Sequence, residues 1–119
     1  MILLNEGDHS NYDDDKLQIN LKDLIEITNT KSMKSSIRIT ILFILALNKE
    51  LTFSQLLESL KIGKGSLKNH IALLESDGYV KERYIITIRG PRLLYEITEN
   101  GMQIYKKFLN LLEKSRKQE

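Results

Sequence analysis

The chain has 119 residues, 41% of them hydrophobic and 29% charged, enough for one globular domain with a modest core and short for two. It contains no cysteine, which removes disulfides, thiolate zinc sites and cysteine nucleophiles together. The net charge of +2 hides an asymmetry: residues 1–30 carry seven acids and two bases, a balance of −5, whereas residues 31–119 carry sixteen bases and nine acids, a balance of +7.

A basic body attracts polyanions, although surface lysines also keep a protein soluble. The longest apolar run, Ile41 to Leu47, falls well short of the roughly 20 residues that a membrane-spanning helix needs. Met1 to Leu4 is too short for the core of a signal peptide and runs into acidic residues. A cytoplasmic protein without a membrane partner is therefore expected.

Residues 1–15 are rich in Asn, Asp, Gly and Ser and end in Asp13-Asp14-Asp15, the composition of a disordered acidic tail. Residues 16–31 predict an N-terminal flanking helix, on which Leu17, Leu21, Leu24 and Thr28, joined by Ile25, trace one face. That face can pack on its own domain or on a second subunit. Ser35 or Ser36 caps the next helix, whose Ile37, Ile41, Leu42, Ile44, Leu45 and Leu47 are apolar almost all round, as in the buried middle of a domain. Leu51 then stands in a short extended segment.

Thr52 and Gln55 have the Thr-x-x-Gln spacing of a capping box, flanked by Leu51 and Leu56 as a hydrophobic staple, so a helix is predicted to begin at Phe53. Lys61-Ile62-Gly63 is a short turn containing a glycine, and a second helix opens at Lys64. Leu67, Ile71 and Leu74 form its buried stripe, with His70 on the border, which leaves Lys64, Ser66, Lys68, Asn69 and Ala72 facing outward. Asp77-Gly78 closes this helix, glycine being the residue that accepts a left-handed conformation. Two short helices and a turn, one helix with a polar outer face, are the pattern of a helix-turn-helix.

Beyond Gly78 the period becomes strand-like. Tyr79 to Thr87 is aromatic and β-branched, Ile88-Arg89-Gly90-Pro91-Arg92 reads as a loop, and Leu93 to Thr98 resumes as a strand with Leu93, Tyr95 and Ile97 on one face. Two strands alone are marginal, so this basic-tipped hairpin must pack on the helices and can pair with the Leu51 segment. Thr98 serves as an N-cap, and residues 99–119 form a last helix with two apolar stripes. One stripe is Met102, Tyr105, Leu109 and Leu112; the other is Ile104, Phe108 and Leu111. The helix-turn-helix can bury one of them. The other needs the same helix of a second subunit, or else the Leu17 to Ile27 helix of its own chain.

The order helix, helix, turn, helix, hairpin, helix resembles the winged helix-turn-helix family of small bacterial and archaeal transcriptional regulators related to the MarR and ArsR groups. The likeness runs from about Met33 to Leu112 and is carried by LTFSQLLESL, by KGSLKNHIALLESDGYV and by the wing RGPRLLYEITENG. It implies a mainly α fold with a small β-hairpin wing: a winged helix-turn-helix domain over residues 32–98, flanked by an N-terminal helix and a C-terminal dimerisation helix. It also implies a homodimer that reads double-stranded DNA, with the Lys64 to Asp77 helix in a major groove and the wing at a minor groove. Ser66, Lys68 and Asn69 would then reach base edges, Lys61 and Lys64 the backbone, and Arg89 and Arg92 the minor groove. The subunit contact would use Met102, Ile104, Tyr105, Phe108, Leu109, Leu111 and Leu112.

The sequence departs from that pattern at Gly63, where relatives often carry a Ser or Thr cap. Glycine there leaves the first amides of the helix open to a phosphate. With His9 and His70 the only histidines, and far apart, neither a metal nor another cofactor is expected. His70 reads as a packing residue. Gly63-Lys64-Gly65-Ser66 lacks the upstream glycine and preceding strand of a phosphate-binding loop. No paired-carboxylate, nucleophile-plus-histidine or metal-ligand constellation suggests an enzyme. The competing reading is a winged helix used as a protein-interaction module in a larger assembly, which an acidic or apolar outer face on the Lys64 helix would have favoured.

Overall fold

The computed structural model describes residues 21–117 apart from Asp23. The expected acidic tail, residues 1–15, and the start of the flanking helix, residues 16–20, lie outside the described residues. Residues 24–28 are helical, and a 3₁₀ turn at Ser32–Lys34 leads into helix α1, Ser36–Asn48. Strand β1 (Glu50–Thr52), helices α2 (Phe53–Leu60) and α3 (Lys64–Ser76), strands β2 (Val80–Thr87) and β3 (Gly90–Ile97), and helix α4 (Glu99–Lys117) follow. This is a winged helix: a mostly helical body carrying a small antiparallel sheet.

Local chemistry starts the helices where the sequence predicts. The Ser35 hydroxyl accepts from the Arg38 amide at the start of α1. At α2 the capping box is complete, the Gln55 amide donating to the Thr52 hydroxyl and the Thr52 amide to the Gln55 side-chain oxygen. The turn from α2 to α3 departs from expectation. Its left-handed residue is Lys61, at φ 56°, whose amide donates to the Leu57 carbonyl, while Gly63 has an ordinary extended backbone as the cap of α3. The glycine is therefore needed at neither end of the turn for its φ.

The sheet has the order β1-β3-β2. Leu51 pairs with Tyr95 on one side of β3, and Val80 to Thr87 pair with Ile97 to Gly90 on the other. The wing loop is shorter than its sequence suggests. Pro91 and Arg92 belong to β3, opposite Ile86 and Ile85, so Ile88 and Arg89 alone make the turn. Proline is tolerated there because β1 stops at Leu94, leaving β3 a single neighbour over that stretch.

The core draws on almost every element. Met33, Ile41, Leu42, Leu45, Leu56, Leu67, Leu74, Val80, Tyr95 and Ile104 meet in it, joined by Ile27 from the N-terminal helical segment. Helix α1 is not buried all round, for Leu47 is 71% exposed. Ile27 docks the N-terminal segment, while the Leu21, Leu24 and Ile25 face faces outward. Thr98 stitches the sheet to α4. Its hydroxyl donates to the Gly78 carbonyl at 2.6 Å and accepts from the Gly101 amide at 3.0 Å, and its own amide donates to the Tyr79 carbonyl. Gly101 is held against that junction so closely that a Cβ would collide with the Tyr79 carbonyl oxygen and come within 2.7 Å of Ile97.

Candidate nucleic-acid interface

Helix α3 presents its faces as its periodicity requires. Leu67, Ile71 and Leu74 are buried, and Lys64, Ser66, Lys68, Asn69 and Ala72 are exposed on the opposite side. Lys61 stands exposed at the preceding turn, and Arg89 and Arg92 are exposed on the wing. None of the seven polar side chains among these has a hydrogen-bond or ion-pair partner among the described residues. Five therefore lie on one continuous segment with the first amides of α3, where Gly63 supplies no side-chain cap. The two wing arginines lie apart from it, at and beside the tip of the β2–β3 hairpin.

The position of α3 is set by contacts that its own sequence does not announce. The Arg38 guanidinium, reaching from α1, donates to His70 Nδ1 at 2.9 Å, to the Ser32 carbonyl at 2.7 Å and to the Lys31 carbonyl at 3.1 Å. His70 must be neutral at Nδ1 to accept this bond. Burial and the arginine charge both hold its pKa below the usual histidine range. At the far end of α3, the Asp77 carboxylate accepts from the buried Ser32 amide at 2.9 Å. His70 is thus the packing residue its border position implies. Arg38 escapes sequence reading because a single arginine on a hydrophobic helix resembles an ordinary exposed charge.

The wing is attached differently. At its base Arg83 bonds both Glu96, at 2.7 Å, and Glu50, joining all three strands on the exposed side of the sheet, and Lys81 lies 3.8 Å from Glu96. Glu75 of α3 faces Glu82 of β2, and burial together with that neighbouring carboxylate pushes the Glu75 pKa up. At the tip the Thr87 hydroxyl donates to the Gly90 carbonyl at 2.7 Å and accepts from the Arg89 amide at 3.2 Å. Gly90 takes φ +109°, a value side chains resist, which closes the turn around Ile88 and Arg89.

Helix α4 buries one of its two stripes. Ile104 enters the core, and Phe108 and Leu111 pack against it. Of the residues expected at a subunit contact, Ile104 is thereby taken up by its own chain, and Tyr105 and Phe108 are engaged edge-on by Phe43 of α1, at 5.0 and 5.6 Å between ring centroids. Phe43 is the anchor that the sequence hid inside a uniformly apolar helix. On the other stripe Met102 and Tyr105 are half-buried, while Leu109 and Leu112 are 40% and 60% exposed. The N-terminal segment lies alongside, with Glu26 bonded to Lys107 at 2.8 Å, yet its Leu21, Leu24 and Ile25 remain exposed as well.

Comparison with curated proteins gives no match. Among solved structures, a transcriptional regulator homologue from Pyrococcus horikoshii OT3 is similar at 33% identity, covering 81% of this chain and 95% of that one with a TM-score of 0.67. A transcriptional regulator of the MarR family from Enterococcus faecalis V583 shares the fold at 20% identity, over 92% of this chain and 93% of that one, with a TM-score of 0.62. So does MepR of S. aureus, solved as a DNA complex, at 12% identity over 88% and 82% of the two chains and a TM-score of 0.65. Residues 37–115 match the winged helix DNA-binding domain family, and with this fold and this exposed polar helix face, the chain belongs to it.

Proposed function

We propose that this winged-helix protein is a homodimeric transcriptional regulator that reads a specific double-stranded DNA sequence, α3 lying in the major groove and the wing at an adjacent minor groove. The observation that carries the reading is the outer face of α3. Lys64, Ser66, Lys68 and Asn69 are exposed and unpaired among the described residues, on a helix whose opposite face is fully committed to the core. Ser66, Lys68 and Asn69 are the residues for base edges and adjacent phosphates, and Lys61 and Lys64 for the backbone. The uncapped amides at the start of α3 suit a phosphate. Arg89 and Arg92 supply the wing's positive charge. A winged helix solved in complex with DNA, MepR, supports the same partner. The polar and cationic α3 face weighs against a purely protein-binding module.

The test is duplex binding measured across salt concentration. Phosphate contacts should make affinity fall steeply with salt, and the Lys68→Ala/Asn69→Ala pair should lose sequence preference, at roughly 1–3 kcal/mol per base contact. Arg89→Ala/Arg92→Ala should reduce the salt slope by about one per lost phosphate contact. Absence of duplex binding at low salt would overturn the reading.

The homodimer rests on Leu109, Leu112, Met102 and Tyr105 of α4, joined by the exposed Leu21, Leu24 and Ile25 of the N-terminal segment. Because Ile104, Phe108 and Leu111 hold α4 to its own core, removing the helix would unfold the domain instead of testing the contact. Leu109→Lys/Leu112→Lys leaves the core intact. Light scattering should show that variant as a monomer, and an undiminished dimer would relocate the interface.

A further inference from the structure

The wing carries an apolar stripe that the fold does not use. Tyr84, Ile86 and Ile88 are 70%, 84% and 105% exposed. Tyr84 and Ile86 stand opposite Leu93 and Pro91, on the sheet face whose inner part, Val80, Tyr95 and Ile97, packs into the core. Beyond Glu82, which shares this face opposite Tyr95, the face is again apolar out past the edge of the body. Nothing in the hairpin requires an isoleucine at its end, since two-residue turns favour Asn, Asp, Gly and Ser. Ile88 nonetheless takes the first of the two turn positions. The two Thr87 hydrogen bonds and the positive φ of Gly90 hold it there beside Arg89.

The charges around the stripe identify what it fits. Between Glu82 and Glu96 there is no acid, and the three bases are Arg83, Arg89 and Arg92. Arg83 is engaged by Glu50 and Glu96, so on the hairpin itself the unpaired arginines among the described residues are Arg89 and Arg92, at and beside the tip. A surface that pairs an apolar point with flanking cations is complementary to a minor groove, whose walls are deoxyribose carbons and whose rims are phosphates. The groove is about 6 Å wide, room for a single branched side chain, and apolar side chains are used in this way by proteins that bind it.

On the reading that the protein binds duplex DNA, we infer that Ile88 enters the minor groove next to Arg89 and selects for A·T-like floors. Its methyl groups pack on the sugar walls, and Ile86, one strand pair behind it, meets the groove's lip. A guanine there presents its exocyclic amino group to the isoleucine, which cannot accept a hydrogen bond, so G·C pairs are disfavoured. The wing then contributes sequence preference through an uncharged residue, and Arg89 contributes affinity.

The experiment compares the full-length wild type, Ile88→Asn and Arg89→Ala on poly(dA-dT), poly(dI-dC) and poly(dG-dC) duplexes over a salt series. Inosine removes the minor-groove amino group while leaving a G·C-like major groove. The wild type should bind the dA-dT and dI-dC duplexes more tightly than dG-dC. Ile88→Asn should lose roughly five- to tenfold on the first two, as expected for one partly buried aliphatic side chain, with an unchanged salt slope and little change on dG-dC. Arg89→Ala should lower the slope by about one on all three. Asparagine suits the turn, so the variant keeps its fold. Equal binding of wild type and Ile88→Asn on every duplex overturns the inference, as does an equal loss on all three. If light scattering shows that Ile88→Asn abolishes self-association while DNA binding is unchanged, the tip instead meets a second copy of the chain, and the inference also fails. If the wild type binds no duplex at low salt, the DNA-binding reading itself is at fault.

Discussion

Helix α3 and the β2–β3 wing both present unpaired cations to solvent, but they are fastened to the body by opposite means. Helix α3 is held by burial: Leu67 and Leu74 are completely enclosed, and its C-terminal end and middle are tied to the segment before α1 through Asp77–Ser32 and Arg38–His70. The wing is held by its strand ladder, by the Arg83 ion pairs on an exposed face and by the Thr87 turn, while its outer apolar side chains touch little. Burial resists substitution and salt, whereas surface ion pairs are weak and screened. The helix can thus be moved only by moving the body, whereas the wing can change its surface residues at small cost to stability.

Four substitutions probe that contrast, from the largest expected effect downward. Leu67→Ala empties a fully enclosed site in α3 and should cost about 2–5 kcal/mol in chemical denaturation. A small loss would mean that α3 is not held by its buried stripe. Gly101→Ala forces a methyl group into the Tyr79 carbonyl at the junction of sheet and α4, and about 1–3 kcal/mol is expected from such overpacking, read as a fall in the thermal midpoint. Asp77→Ala leaves the buried Ser32 amide without its acceptor, a loss of about 1–3 kcal/mol. Arg83→Ala should matter least among the four. Its stability deficit should be small at low salt and vanish at high salt, and a deficit as large as that of Leu67→Ala would erase the distinction between the two regions.

The Arg38–His70 tie adds a dependence on pH. The folded protein holds the His70 pKa below its ordinary value of about 6.5, so in the interval between the two values the unfolded chain binds more protons than the folded one. Stability is therefore unaffected above that interval, falls as pH drops through it, and has lost the full contribution below the folded-state value. His70→Asn, whose side-chain oxygen can still accept from Arg38, should flatten the wild-type profile in that window. Denaturation midpoints measured on both proteins across the same pH series would show it, and parallel profiles would refute the assignment.

Much of this was legible because it is local. The Thr52–Gln55 capping box, the Ser35 and Thr98 caps, the left-handed Gly78 and the Leu67-Ile71-Leu74 stripe each involve residues within a few positions of one another, and each is found as written. Pairing of Leu51 with Tyr95 was also foreseeable, since a lone hairpin needs a third strand. The turn details were not. Lys61 takes the left-handed conformation with its amide bonded to the Leu57 carbonyl, which offsets the roughly 1–2 kcal/mol a non-glycine residue loses there. Pro91 enters the ladder only because β1 ends early, a fact belonging to the assembled sheet.

The amino-acid sequence alone determined the helix-turn-helix centred on α2 and α3, the polarity of the α3 outer face and the existence of a cationic wing, because periodicity and capping act over single turns and single strand pairs. Only the tertiary structure decided which stripe of α4 is core, and that Ile27, not the Leu21–Leu24 face, anchors the N-terminal segment. It also decided that Arg38 and Asp77 tie the segment before α1 to α3, and that Ile88 stands exposed beside Arg89 at the wing tip. Those outcomes depend on which surfaces meet across dozens of residues of chain, and two equally apolar stripes on one helix are indistinguishable until Ile104, with Phe108 and Leu111, is seen packed into the core.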